Sequence, residues 1–109
     1  MRYASLQHSL ITAVLTTPRA TLPELRRRAV LERARETPGR TDAVPPELTH
    51  YVDTVARHAY KVTDADVAQL QRAGHSDDAL FEITVAAAVG AAMHRLERGM
   101  AALRGEEPD

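Results

Sequence analysis

The chain has no cysteine, no tryptophan and a single phenylalanine among its 109 residues. Without cysteine there is no disulfide, no thiolate nucleophile and no thiol–disulfide exchange, in any compartment. With one Phe and three Tyr, a core has to come from Ala, Val, Leu and Ile, which suits close-packed helices better than aromatic-rich strands. Long apolar runs are missing too. The longest, ITVAAAVGAAM from Ile83 to Met93, is well short of the ~20 residues of a membrane-spanning helix. Near the N-terminus, Gln7, His8 and Ser9 interrupt the apolar patch before it can serve as a secretory core. A soluble cytoplasmic protein with no membrane association is the expectation.

What is present is ordinary in amount and uneven in place. Apolar residues make up 44% and charged residues 27%, and the length suits one domain, residues 1–109, with a modest core. Up to Arg40 there are eight Arg against three Glu; beyond it, six Lys or Arg face twelve Asp or Glu. A basic first part can attract nucleic acid, or it can lie on an acidic body, its own or a neighbour's.

Apolar periodicity and caps predict helices and no strands. Leu6, Leu10, Ala13 and Val14 share one face of a helix over Tyr3 to Leu15. Thr21 reads as an N-cap, with Pro23 in the first turn and Glu24 completing a capping box. That helix continues to about Glu36 with Leu25, Ala29 and Val30 inward. TPGRTDAVPP (Thr37 to Pro46) reads as a linker. Leu48, Tyr51, Val52, Val55 and Ala59 form the stripe of a third helix that ends near Tyr60. Thr63 caps a short fourth, which Gly74 closes. Ser76 caps a fifth, whose first turn carries Asp77 and Asp78 at the positive end of the helix dipole.

The fifth helix can run from Asp77 to about Arg104, ~42 Å at 1.5 Å per residue. Phe81, Val85, Ala88, Ala92, Leu96, Gly99 and Leu103 keep three-to-four spacing along it, and Ala86, Ala87, Gly90 and Ala91 add small residues elsewhere around it. A helix apolar on more than one face is buried on more than one face. The expectation is a homo-oligomer, with this helix in the subunit interface.

From Thr63 to Leu103 the text TDADVAQLQRAGHSDDALFEITVAAAVGAAMHRLERGMAAL resembles the core of the alkylhydroperoxidase D-like (AhpD-like) family, which includes the carboxymuconolactone decarboxylases. The features are a helix closing on Arg-Ala-Gly (Arg72 to Gly74), a Ser-Asp-Asp cap, and Leu-Phe-Glu (Leu80 to Glu82) opening a long Ala-rich helix. The resemblance implies an all-α, five-helix AhpD-like fold with residues 47–104 as its core, assembled as a trimer or hexamer; residues 1–40, which the resemblance does not cover, read as an N-terminal helical arm. In the redox branch of that family two cysteines and a histidine sit at fixed distances before the glycine. Counting back from Gly74 puts Tyr60 and Thr63 at the cysteine positions and Asp66 at the histidine, with Glu47 near the place of an upstream proton-relay Glu. Neither Tyr nor Thr forms a disulfide, so thiol-dependent peroxidase chemistry is excluded.

Acid–base chemistry is what remains, on a small organic acid in a pocket between subunits, and the resemblance places such a site near the same helix start. The candidate catalytic residues are Glu82, His58, Tyr60 and Asp66. Glu82 is the only charge between Asp78 and His94; desolvated at the start of an apolar helix, it would serve as general acid or base. It can equally hydrogen-bond backbone or an Arg across a subunit boundary. Asp66 can equally support the Thr63 cap, while His58 and Tyr60 suit a helix C-terminus and a half-buried ring. The chain therefore reads as a ligand binder or acid–base enzyme without cofactor. The alternatives are a non-catalytic oligomeric scaffold and, less favoured, a nucleic-acid accessory protein using Arg26 to Arg28. His50 and His58 lie eight apart, too far to chelate one ion directly, and no metal is expected.

Overall fold

A computed structural model describes residues 2–16, 22–37 and 44–105. It is all-helical over these residues: α1 (Arg2–Leu15), α2 (Glu24–Arg35), α3 (Pro46–His58), α4 (Asp64–Arg72) and α5 (Asp77–Leu103), with a 3₁₀ turn at Ala59–Lys61 between α3 and α4. The fold is thus all-α with a long C-terminal helix.

Local chemistry sets most helix ends. Thr63 Oγ1 accepts the Asp66 N–H while Asp66 Oδ2 accepts the Thr63 N–H, a reciprocal capping box. At the other end of α4, the His75 N–H reaches Leu70 O and the Gly74 N–H reaches Gln71 O. That is a Schellman motif, and it needs the left-handed backbone that Gly74 adopts at φ +105°. Ser76 Oγ caps α5 by accepting the Ala79 N–H at 3.1 Å. Pro45 caps and Pro46 opens α3, whose first turn does not need the N–H that proline lacks. Helix α2 begins at Glu24 with Pro23 at the cap position and no side-chain cap, later than the sequence suggests; Thr21 lies outside the described residues.

Helices α2 and α5 form the central seam. Val30 and Leu31 of α2 and Ile83, Ala86 and Ala87 of α5 are essentially inaccessible, and α3 adds Leu48, Tyr51 and Val52. Full burial of a Leu, Ile or Val side chain stabilises by about 1.5–3 kcal/mol. Close approach depends on Gly90: a Cβ built there would lie 2.3 Å from Leu31 O and 2.9 Å from Ala34 Cβ. Ala86, Ala87, Gly90 and Ala91 are the small residues that α5 turns inward.

Three inward assignments change with the structure. Leu25 is 77% exposed, and the buried face of α2 is Arg27, Val30, Leu31 and Ala34. On α1, Leu6 and Leu10 are exposed; Leu15 is buried and Ile11 and Val14 pack against the core. Ala59 is exposed, with Ala56 buried in its place. By length and composition α5 is apolar enough to cross a membrane, but in this fold its inner face is core.

The arginines of α2 tie the seam together. Arg33 Nε and Nη2 each lie 2.8 Å from an Asp53 carboxylate oxygen on α3. Arg35 makes a second fork to Glu97 on α5, which raises its already high pKa although burial opposes this. Buried Arg27 donates to the carbonyls of Leu15 and Leu22. Three of the five α2 arginines, Arg27, Arg33 and Arg35, are thus committed inside the fold.

Candidate site between α3 and α4

The four residues singled out from the sequence fall in three places. Glu82 sits on the α2 side of α5, its side chain 16% exposed. Its Oε1 accepts the Leu22 N–H at 2.9 Å and lies 3.7 Å from Arg27 Nη1. The burial of this carboxylate is matched by a backbone donor and a cation from its own chain, an arrangement that anchors the residues before α2. His58 and Tyr60 touch edge to face, ring centroids 6.1 Å apart, at the break between α3 and the 3₁₀ turn. Tyr60 is 81% exposed, with Lys61 Nζ 5.9 Å from its ring centre. Asp66 is on the opposite side of that turn, in the first turn of α4.

Only Asp66 of these four lines the cavity between α3 and α4. This space is about 370 Å³ and is bounded by Glu47, His50 and Tyr51 from α3 and by Asp66, Gln69, Leu70 and Ala73 from α4 and its cap, with Pro46 at one edge. The polar groups come from positions one turn apart. Glu47 and His50 are at i, i+3 on α3, and Asp66 and Gln69 repeat that spacing on α4, so each pair presents its side chains to the same side. Leu70, buried at 5% exposure, and Tyr51 supply the apolar wall.

Tyr51 is held in place. Thr84 Oγ1 donates to Leu80 O at 2.7 Å, so its single hydrogen is used. The 2.6 Å contact with Tyr51 is then a bond that the Tyr51 hydroxyl donates. That bond ties the cavity wall to α5. On the flank, His75 Nε2 stands 3.5 Å from Glu47 Oε1.

The electrostatics of the rim are acidic. The Asp66 carboxyl is held below its ordinary value, first by the bond from the Thr63 N–H, then by the Thr63 hydroxyl, with a smaller contribution from His50. Two carboxylates with an imidazole and an amide between them can accept several hydrogen bonds and favour positive charge. Among the described residues, no group of three His, Asp or Glu is arranged to hold a metal ion. A second cavity, about 240 Å³, lies where α2, α3 and α5 meet. Its charges are already paired: Glu36 lies 3.2 Å from His94 and 3.5 Å from Arg57, and Arg95 donates to Ala56 O.

Glu47 was legible as a relay position by resemblance, and His50 was weighed only as a metal ligand beside His58. The usable sign was the Glu-x-x-His spacing of Glu47 and His50, facing an Asp-x-x-Gln on the next helix. Compared with known protein families, curated proteins and solved structures, the chain matches none.

Proposed function

We propose that this is a non-redox protein of the AhpD-like type that binds a small organic ligand in the α3–α4 cavity. The single observation that carries the reading is the convergence of Glu47, His50, Asp66 and Gln69 on an apolar wall of Tyr51 and Leu70. Small-molecule sites combine an apolar lining with a few directed polar groups in this way, and about 370 Å³ is at the small end of their range.

The ligand class follows from charge. An organic acid, which the resemblance implies, would meet Glu47 and Asp66 as like charges. A ligand with an amine or several hydroxyl donors on a compact apolar body meets acceptors instead. His50 beside two carboxylates is placed to exchange a proton with such a ligand, so binding comes first in this reading and acid–base turnover is its extension. Glu82, His58 and Tyr60 take no part: Glu82 anchors α2, and the other two lie outside the cavity.

A matched pair of probes tests this. Benzylamine and benzoate share a ring and differ in the sign of their charge. In a ¹⁵N-resolved NMR titration at low millimolar concentration, benzylamine is expected to shift amides of residues 47–51 and 66–73, and benzoate is not. Glu47→Gln should weaken the benzylamine shifts severalfold. Shifts with benzoate alone, or with neither probe, reject the reading.

A further inference from the structure

The cavity where α2, α3 and α5 meet has the opposite charge to the one between α3 and α4. Its floor is three buried alanines, Ala34, Ala56 and Ala91. Arg57 stands at the end of α3. His94 and Arg95 follow Ala91 by three and four positions, so α5 presents all three to the same side. Two guanidiniums and an imidazole thus rim about 240 Å³, with one carboxylate among them, that of Glu36. The nearest acids along α3 and α5 are already bound: Arg33 forks Asp53 and Arg35 forks Glu97.

Glu36 is held at this place by its backbone. Its N–H reaches Arg33 O and the Thr37 N–H reaches Glu32 O, a Schellman closure of α2 that calls for a left-handed residue. After α4 that residue is Gly74, and after α5 the left-handed residue is Gly105. Glu36, at φ 59°, is the only non-glycine with positive φ among the described residues, a conformation uncommon for such a side chain. Glycine would close α2 with less strain, so the side chain has a use that the turn does not explain. It places Oε2 3.2 Å from His94 Nε2 and Oε1 3.5 Å from Arg57 Nη2. The second contact is loose beside the Arg33 fork, whose two bonds are 2.8 Å each. Glu36 and Arg57 are both about half exposed. Among the described residues, Arg57 uses one of its five N–H donors. The cations of this rim are engaged without being saturated.

We propose that this cavity binds the carboxylate of a small organic anion, and that the Glu36 carboxylate occupies its place within the chain. The ligand takes a fork from Arg57 and a bond from the His94 imidazole, while the half-exposed Glu36 side chain turns out to solvent. Guanidinium and carboxylate are both planar, so two parallel bonds replace one long one. Arg95 keeps its 3.0 Å bond to Ala56 O and adds its charge from the rim. Exchanging one carboxylate for another leaves no cation unpaired. The ligand gains because its hydrocarbon part is buried on the three alanine methyls. At about 240 Å³ the space suits a single ring or a short chain. This site is separate from the α3–α4 cavity and takes ligands of the opposite charge.

Benzoate is the probe, titrated into the ¹⁵N-labelled protein at low millimolar concentration against sodium chloride of equal ionic strength. Benzoate is expected to shift amides of residues 34–37, 56–58 and 91–95 and to saturate; chloride is not. No shift, or a shift that chloride reproduces, rejects the site, because plain screening acts on every exposed charge alike. Glu36→Gln keeps the shape of the side chain and removes the competing charge, so benzoate should bind severalfold tighter. Unchanged or weaker binding makes Glu36 a structural ion pair and overturns the proposal. Arg57→Gln, at a half-exposed position, should weaken benzoate about tenfold, the loss of one charge-assisted fork; no weakening overturns it too. Phosphate that shifts these amides at lower concentration than benzoate assigns the cavity to phosphate and overturns the carboxylate. Benzylamine reports the α3–α4 cavity through different amides, so failure of either site is read separately.

Discussion

The seam between α2 and α5 and the gap between α3 and α4 use opposite means to join two helices. In the seam, Gly90, Ala86, Ala87 and Ala91 bring backbones together until a single added methyl collides with Leu31 O, and guanidinium forks close the edges. Between α3 and α4 the facing positions are Glu47, His50, Asp66 and Gln69, side chains that resist burial without partners, so the helices stay apart and a cavity remains. The seam holds the molecule together and the gap leaves a cavity. Substitutions should therefore be felt strongly in the first and weakly in the second.

The largest effect is expected from Arg27→Ala. It removes the donor to two carbonyls and the guanidinium 3.7 Å from the part-buried Glu82 carboxylate, a change worth about 3 kcal/mol. Urea unfolding should show a lower midpoint with an unchanged slope. Gly90→Ala comes next. Helix propensity favours alanine by about 1 kcal/mol, but overpacking against backbone costs about 3 kcal/mol. The net loss of about 2 kcal/mol should lower Tm by roughly 10 °C in a chain of this size. A Tm at or above that of the parent would mean that α2 can move away from α5, and the contrast between the two regions would fail.

On the other side the effects shrink and become pH-dependent. Asp66 has a carboxyl pKa below its ordinary value in the folded state, so its charge stabilises the fold fully above about pH 4, the unfolded value. That contribution fades as pH falls through the lower folded value. Asp66→Asn should therefore be less stable than the parent at pH 7, and the difference should close in acid; a constant difference would remove the charge from the explanation. The smallest effect is expected for Gln69→Met. Facing the cavity, it should alter stability by less than about 0.5 kcal/mol while weakening the benzylamine shifts less than Glu47→Gln does.

Helix existence and most helix limits were legible because they rest on neighbours in sequence. Thr63 and Asp66, Gly74 and Ser76 each act within a turn of where they stand, and all are found in the roles their types imply; Pro46, read as the end of a linker, instead opens α3. The direction of each face was less legible. Leu25 and Arg27 are the clearest case: hydropathy turns leucine inward and arginine outward, yet Leu25 is 77% exposed and Arg27 only 5%. Arg27 goes inside because the carbonyls of Leu15 and Leu22 and the Glu82 carboxylate meet there, and three partners from separate segments leave no local trace. The site was half legible. Glu47 and Asp66 were named by position, but their meeting with His50 and Gln69 depends on how α4 folds back across α3.

The sequence by itself determined that the protein is helical, where most of its helices start and stop, that no thiol chemistry is possible, and that its last helix carries more apolar surface than one face can use. Only the tertiary structure decided which of those faces is core. Gly90 faces α2 because that approach leaves no room for a Cβ beside Leu31 O, and Ala86, Ala87 and Ala91 are buried with it, while Phe81 and Leu103 are left outside.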